Sequence, residues 1–203
     1  KKEQIKQIIR DFHINDNFDV KTRALQPPID TKKIITLIGV RRCGKTSILY
    51  DMINQLSLNT EKTKILFLNF EDERLELELD ELDLVLQSFS ELYPKQDLKG
   101  CYFFFDEIQN ITGWEKFVRR IYDSISKNIF ITGSNSKLLS SEIATSLRGR
   151  TLSYEVYPLS FSEYLSFKDI EVDLYSSKSL AHIKNAQESF LKNGAFPETL
   201  FLE

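Results

Sequence analysis

A chain of 203 residues with 41% hydrophobic and 28% charged side chains, 7 glycines and 5 prolines has the makeup of one large globular domain, or of one domain with a small appendage. No long polar tract argues for disorder, and the apolar runs stay far short of the roughly 18 residues a membrane helix requires, so no membrane partner is expected. A formal charge of -3 sets up no overall field for gathering nucleic acid, and 2 cysteines outside any Cys/His cluster argue against zinc or a disulfide framework, leaving a reducing, cytoplasmic compartment as the expectation.

Residues 1–33 are polar with scattered apolar positions and a Pro27-Pro28 break, which predicts a short helix and a loop leading into the core. Ile34 to Gly39 is a β-branched run without polar alternation, the pattern of a strand buried on both faces. Ile48, Leu49, Met52, Ile53 and Leu56 then fall at helical spacing, and Ile65 to Phe70 predicts a second buried strand. The acidic stretch from Glu71 to Asp83 reads as a solvated loop and helix face, with Leu79, Leu82, Leu86, Phe89 and Leu92 marking the apolar side of one helix.

Cys101 to Phe105 predicts a third strand. Thr112-Gly113-Trp114-Glu115 has the form of a capping box, opening a helix that carries Trp114, Phe117, Val118, Ile121 and Ile125. A fourth strand is expected over Asn128 to Thr132, a weaker helix around Ser136 to Leu147, and a fifth strand over Thr151 to Tyr157. Ser160 and Glu163 offer a second capping box for a helix through Phe167, and a last helix from Ser179 to Lys192 stops at Gly194. The expected fold is therefore α/β, a five-stranded, mostly parallel sheet between helices (34–157), preceded by a helix and loop (1–33) and followed by a helical lid (158–203). Because the chain starts at Lys1 and stops at Phe201-Leu202-Glu203 within apolar sequence, a fragment of a longer protein with a further C-terminal domain is expected.

Gly39-Val40-Arg41-Arg42-Cys43-Gly44-Lys45-Thr46 fits G-x-x-x-x-G-K-[ST], lies between a predicted strand and a predicted helix, and is continued by Ser47. Its glycines let backbone N–H groups face phosphate oxygens, and the helix adds its positive end. Lys45 would reach the β and γ phosphates and the Thr46 hydroxyl would meet magnesium. Asp106 and Glu107 end an apolar strand and so fall beyond the carboxyl edge of the sheet. There Asp106 suits a magnesium contact and Glu107 the general base that polarises an attacking water. After strand four, Ser134 or Asn135 is placed to touch both γ phosphate and water. Arg148 and Arg150 could stabilise transition-state charge, in their own subunit or in a neighbour's. Cys43, inside the loop, reads as a small tolerated residue or as a reactive thiol, His13 and His182 as ordinary surface or core residues, and Trp114 as core.

These segments resemble the AAA+ ATPases, and more closely a widespread, largely uncharacterised group of prokaryotic ATP-binding proteins. The resemblance is carried by GVRRCGKT (39–46), LNFEDER (68–74), FFFDEIQ (103–109) with GWE (113–115), ITGSNSKLL (131–139), LRGR (147–150), PLSFSEY (158–164) and GAFPE (194–198). It implies a Walker A loop at Gly39 to Thr46, Walker B acids at Asp106 and Glu107, a sensor at Ser134 or Asn135, and an arginine finger at Arg148 or Arg150. It further implies ATP as the nucleotide, bound with Mg²⁺; a homo-oligomer with an arginine acting in trans and a protein or DNA client are compatible with these features, but fold analogy does not supply them. Val40 departs from the proline that relatives often carry, and no lid arginine occurs between Gly194 and Glu198. Three functions follow from these features: an ATPase driving a conformational change, a nucleotide-dependent binding switch with little turnover, or a P-loop phosphotransferase, against which the Asp106-Glu107 pair counts.

Overall fold

The computed structural model describes residues 1–14, 17–134 and 147–201. In chain order its main elements are α1 (Lys2–Ile14), β1 (Ile34–Ile38), α2 (Lys45–Ser57), β2 (Ile65–Asn69), α3 (Asp83–Leu92) and β3 (Tyr102–Asp106). They continue with α4 (Trp114–Ser124), β4 (Ile129–Gly133), β5 (Thr151–Glu155), α5 (Phe161–Phe167) and α6 (Ser177–Asn193). The strands lie in the order β2-β3-β4-β1-β5, and each described pairing is parallel.

Side chains along a strand alternate between its faces, so a strand covered on both sides needs apolar residues at consecutive positions. Phe103, Phe105, Ile129 and Ile131 point to the face covered by α1, α3 and α4, among Ile5, Ile9, Val85, Phe89, Phe117 and Ile121. Phe104 and Phe130 point the other way, stacked at 4.4 Å, with Ile35, Leu37 and Phe67 against Ile48, Leu49, Met52 and Ile53 of α2. Among the described strands only β5, at one edge, is largely exposed. A smaller cluster of Leu159, Tyr164, Leu165, Ala186 and Leu200 holds α5 to α6. His13 joins α1 to the sheet, its ring nitrogens 2.6 Å from Tyr93 Oη and 2.8 Å from the Ile65 carbonyl.

Ser160 and Glu163 form the expected capping box, and α6 ends at Gly194 with φ 89°. The box expected at Thr112 is replaced by Gly113 as N-cap, with φ 79° and no side-chain cap. Glycine enters that left-handed conformation without strain, and a Cβ there would lie 3.0 Å from Leu79. The helix expected through Leu79 to Leu92 is divided into a 3-10 turn, Leu79–Glu81, and α3. Most of the helix expected around Ser136 to Leu147 lies outside the described residues.

Candidate nucleotide site

Three adjacent strands end at one edge of the sheet and supply the site. The Gly39–Gly44 loop leaves β1, Asp106 and Glu107 end β3, and β4 between them ends at Gly133 and Ser134. Neighbouring strands are spaced by about 4.8 Å, so groups on β1 and β3 converge across the end of β4. A cavity of about 730 Å³ opens there, lined among others by Arg41, Arg42, Lys45, Thr46, Glu107 and Glu198.

The loop curls because Gly39 and Gly44 permit it. A Cβ on Gly39 would come within 2.2 Å of the Val156 carbonyl oxygen and 2.8 Å of Cys43 Sγ, and Gly44 takes φ 98° as N-cap of α2. No side chain caps α2, so its first amides, which have no partners within the helix, are left for an acceptor such as a phosphate. Cys43 is fully buried beneath the loop, and burial pushes its thiol up, against the pull of Lys45 and Arg23. It packs as a small residue; the conditions for a reactive thiolate are absent.

Lys45 is almost wholly buried. Its Nζ donates to the carbonyls of Gly39 and Val40, both at 3.2 Å, and pairs with Glu107 Oε1 at 3.1 Å. Thr46 Oγ1 donates to Asp106 Oδ2 at 2.8 Å, and Thr132 Oγ1 donates to Asp106 Oδ1 at 2.5 Å. Burial pushes the Asp106 carboxyl up, although both hydrogen bonds oppose that. Buried oxygens of this kind fit a hard cation, whose charge would restore the ionised form. Burial also acts to raise Glu107, but the hydrogen bond from Gln109, the Lys45 charge and the hydrogen bonds from Lys45 and Ser134 outweigh it and lower the carboxyl.

The comparisons with known proteins agree with this geometry. A family model described as an AAA domain matches residues 31–165. The chain belongs to the AAA domain family. It is 43% identical over 206 residues to an uncharacterised protein of Methanocaldococcus jannaschii, an alignment covering 98% of this chain and 44% of that protein. With an uncharacterised protein of Haemophilus influenzae it shares 37% identity over 177 residues, covering 86% of this chain and 42% of that one. The chain therefore spans less than half the length of these relatives. Among solved structures, C. elegans PCH-2 matches with a TM-score of 0.51 at 16% identity, over 98% of this chain and 58% of that one. AMPPCP-bound DnaA from Aquifex aeolicus matches with a TM-score of 0.50 at 15% identity, over 98% and 57%. At such identities the likeness is one of fold alone, and with the family match it makes the chain a domain of the AAA+ P-loop NTPase fold.

Not every residue expected at the site of this AAA+ domain is brought to it. Lys45, Thr46, Asp106, Glu107 and Ser134 meet at the carboxyl edge, with Ser47, Arg41 and Arg42 close by. Arg41 pairs with Glu71, and Arg42 lies 3.3 Å from Glu198. Asn135 lies outside the described residues. Arg148 and Arg150 stand at the opposite edge of the sheet, where the Arg150 carbonyl accepts from the Ile34 amide at the start of β1. The five residues of β1 separate them from the loop by roughly 16 Å of strand, and Arg150 Nε is paired with Asp123 at 3.0 Å. Phosphates bound in the same chain are beyond their reach.

Three residues to which the sequence reading gave no part are central to the site. Thr132, buried on β4, also accepts from the Glu107 amide at 2.9 Å, so one hydroxyl fixes both acids. Its signal was a polar residue in an apolar strand. Gln109 contacts Glu107 and Ser134. Arg23 is buried, donates to the Cys43 and Tyr157 carbonyls at 2.7 and 3.0 Å, and pairs with Glu163 at 2.7 Å, joining the loop to α5. Nothing in the polar segment around Arg23 distinguished it.

Proposed function

We propose that this AAA+ domain binds Mg-ATP and hydrolyses it to drive a conformational change in the lid, an attached domain or a partner. The observation that supports this most strongly is the convergence of Lys45, Thr46 and Glu107 on one cavity at the carboxyl edge of a parallel sheet, with Asp106 bonded to Thr46 just behind it. In this reading the amides of the Gly39–Thr46 loop bind the phosphates, apart from those of Gly39 and Cys43, which donate to the Gly133 and Val40 carbonyls. Lys45 gives a compact positive charge against the β and γ phosphates, and Arg41, Arg42 and Ser47 flank them. Thr46 and Asp106 are the residues that would hold Mg²⁺, which supplies neutralisation of phosphate charge when bound.

Glu107 takes the proton of the attacking water, and Ser134, or Asn135 beside it, orients the γ phosphate and that water. A carboxylate reserved for water favours hydrolysis over transfer to a substrate hydroxyl. Arg148 and Arg150, at the far edge, would serve phosphates bound in a neighbouring copy, so the active form is read as a homo-oligomer. Turnover per subunit should then rise with protein concentration.

Titration with a fluorescent ATP analogue tests the binding half of the reading. Lys45→Ala should weaken affinity by at least about tenfold, about 1.4 kcal/mol of lost phosphate binding. An unaltered titration curve would remove the loop from the site.

A further inference from the structure

Gln109 lies two residues beyond Glu107, in the 3-10 turn Ile108–Asn110. Glu107 itself has φ 50°, a left-handed turn at the end of β3 that brings the two side chains together. The Gln109 amide nitrogen donates to Glu107 Oε2 and, at 3.2 Å, to Ser134 Oγ on the neighbouring strand end. The other carboxylate oxygen, Oε1, is held by Lys45. The two oxygens of the base thus face different donors, the charged Lys45 at Oε1 and the neutral Gln109 at Oε2, with Ser134 as a further neutral donor to the carboxylate.

That division matters once phosphates arrive. Lys45 is the cation they attract, so its hold on Oε1 is the one they compete for. Gln109 is neutral, and phosphate charge gives no reason for it to leave Oε2. The last torsion of a glutamate is broad and roughly two-fold, so a carboxylate released by Lys45 and held by nothing else would turn freely. One held at Oε2 keeps its plane and presents Oε1 outward. The amide orientation is also set: its own Oε1 is buried without a hydrogen-bond partner, and a flip would place that acceptor against the Glu107 carboxylate.

We propose that Gln109 is a positioning residue for hydrolysis, keeping the Glu107 carboxylate in register with Ser134 after Lys45 has turned to the phosphates. This rests on the hydrolase reading of the site. It predicts that Gln109 acts on the chemical step and leaves nucleotide binding alone.

Methionine nearly matches glutamine in shape and has no N–H to donate, whereas asparagine keeps the amide but is one methylene too short to bridge both partners. Steady-state phosphate release, ATP affinity and thermal midpoint would be measured for the wild-type chain, Glu107→Gln, Gln109→Met and Gln109→Asn. The expected result is a kcat about tenfold lower in both Gln109 variants, with ATP affinity and thermal midpoint unchanged. Gln109→Asn serves as the second variant if Gln109→Met folds poorly. Wild-type kcat in Gln109→Met, or a loss of kcat matched by an equal loss of ATP affinity, would overturn the proposal while leaving the hydrolase reading in place. A wild-type chain that binds ATP and releases no phosphate would overturn that reading and this inference with it.

Discussion

Phe103, Phe104 and Phe105 are fully buried in the core, whereas Leu174, Tyr175 and Leu191 of the lid stand in solvent. Much of what ties the lid to the core is charge. Arg23 and Glu163 are paired with side chains only 6% and 12% exposed, while Arg42 and Glu198 meet in the open. Apolar burial is insensitive to pH and favours one close-packed arrangement, so the sheet is built to hold phosphate-binding groups still. A polar junction is rearranged at lower cost and responds to charge, which would suit the proposed coupling of these helices to the occupancy of the loop. Arg23, bonded to both the Cys43 carbonyl and Glu163, sits where those two regimes meet.

The largest effect should come from the core. Phe104→Ala removes a ring stacked on Phe130 and should cost about 4 kcal/mol in urea unfolding. A loss under about 1 kcal/mol would mean that the sheet is less tightly packed than the lid comparison requires. Arg23→Ala leaves Glu163 half-buried without its cation and should cost about 3 kcal/mol, concentrated at the junction. Hydrogen exchange should therefore quicken in α5 while β1, β3 and β4 keep their protection. A uniform rise would contradict a distinct junction.

Acid should sharpen the contrast further. Burial tends to raise the Glu163 carboxyl, but hydrogen bonds from Arg23, the Ser160 amide and the Ala24 amide bring it down to about 2 from an ordinary 4.5. A carboxylate lowered in the folded state stabilises the fold above its unfolded pKa and loses that contribution as pH falls toward the folded value. Between pH 5 and pH 2 the stability advantage of the wild type over Glu163→Gln should shrink by about 2 kcal/mol, after allowance for solvent at the junction. A constant difference across that window would refute the pairing. Glu198→Gln, which removes one end of an exposed ion pair, should change stability by less than about 0.5 kcal/mol and lose even that in high salt.

Much of this was legible in the sequence because both faces of the sheet are covered. The runs Ile34–Ile38, interrupted only by Thr36, and Tyr102–Phe105 announced buried parallel strands, and the glycines with Lys45-Thr46 marked the loop on which the proposed site is built. Hydrophobic pattern carries no record of which strands lie side by side, however. Thr132 and Ser134 matter because β4 falls between β1 and β3, and Arg148 and Arg150 face the wrong edge for their own phosphates because they precede β5. Arg23 gains its meaning only when three distant segments close around it. At Thr112 the pattern misled, since a left-handed glycine can begin a helix where a Thr-x-x-Glu sequence suggests a hydroxyl cap.

Single-turnover phosphate release from Mg-ATP, with protein in excess of the measured dissociation constants, tests the hydrolytic role of this site most directly. The wild-type chain should release phosphate, while Glu107→Gln should bind ATP with similar affinity and release it at least about 100-fold more slowly. Equal release by both proteins, or none by a wild-type chain with ATP bound, would contradict the assignment of Glu107 as the base of an ATPase.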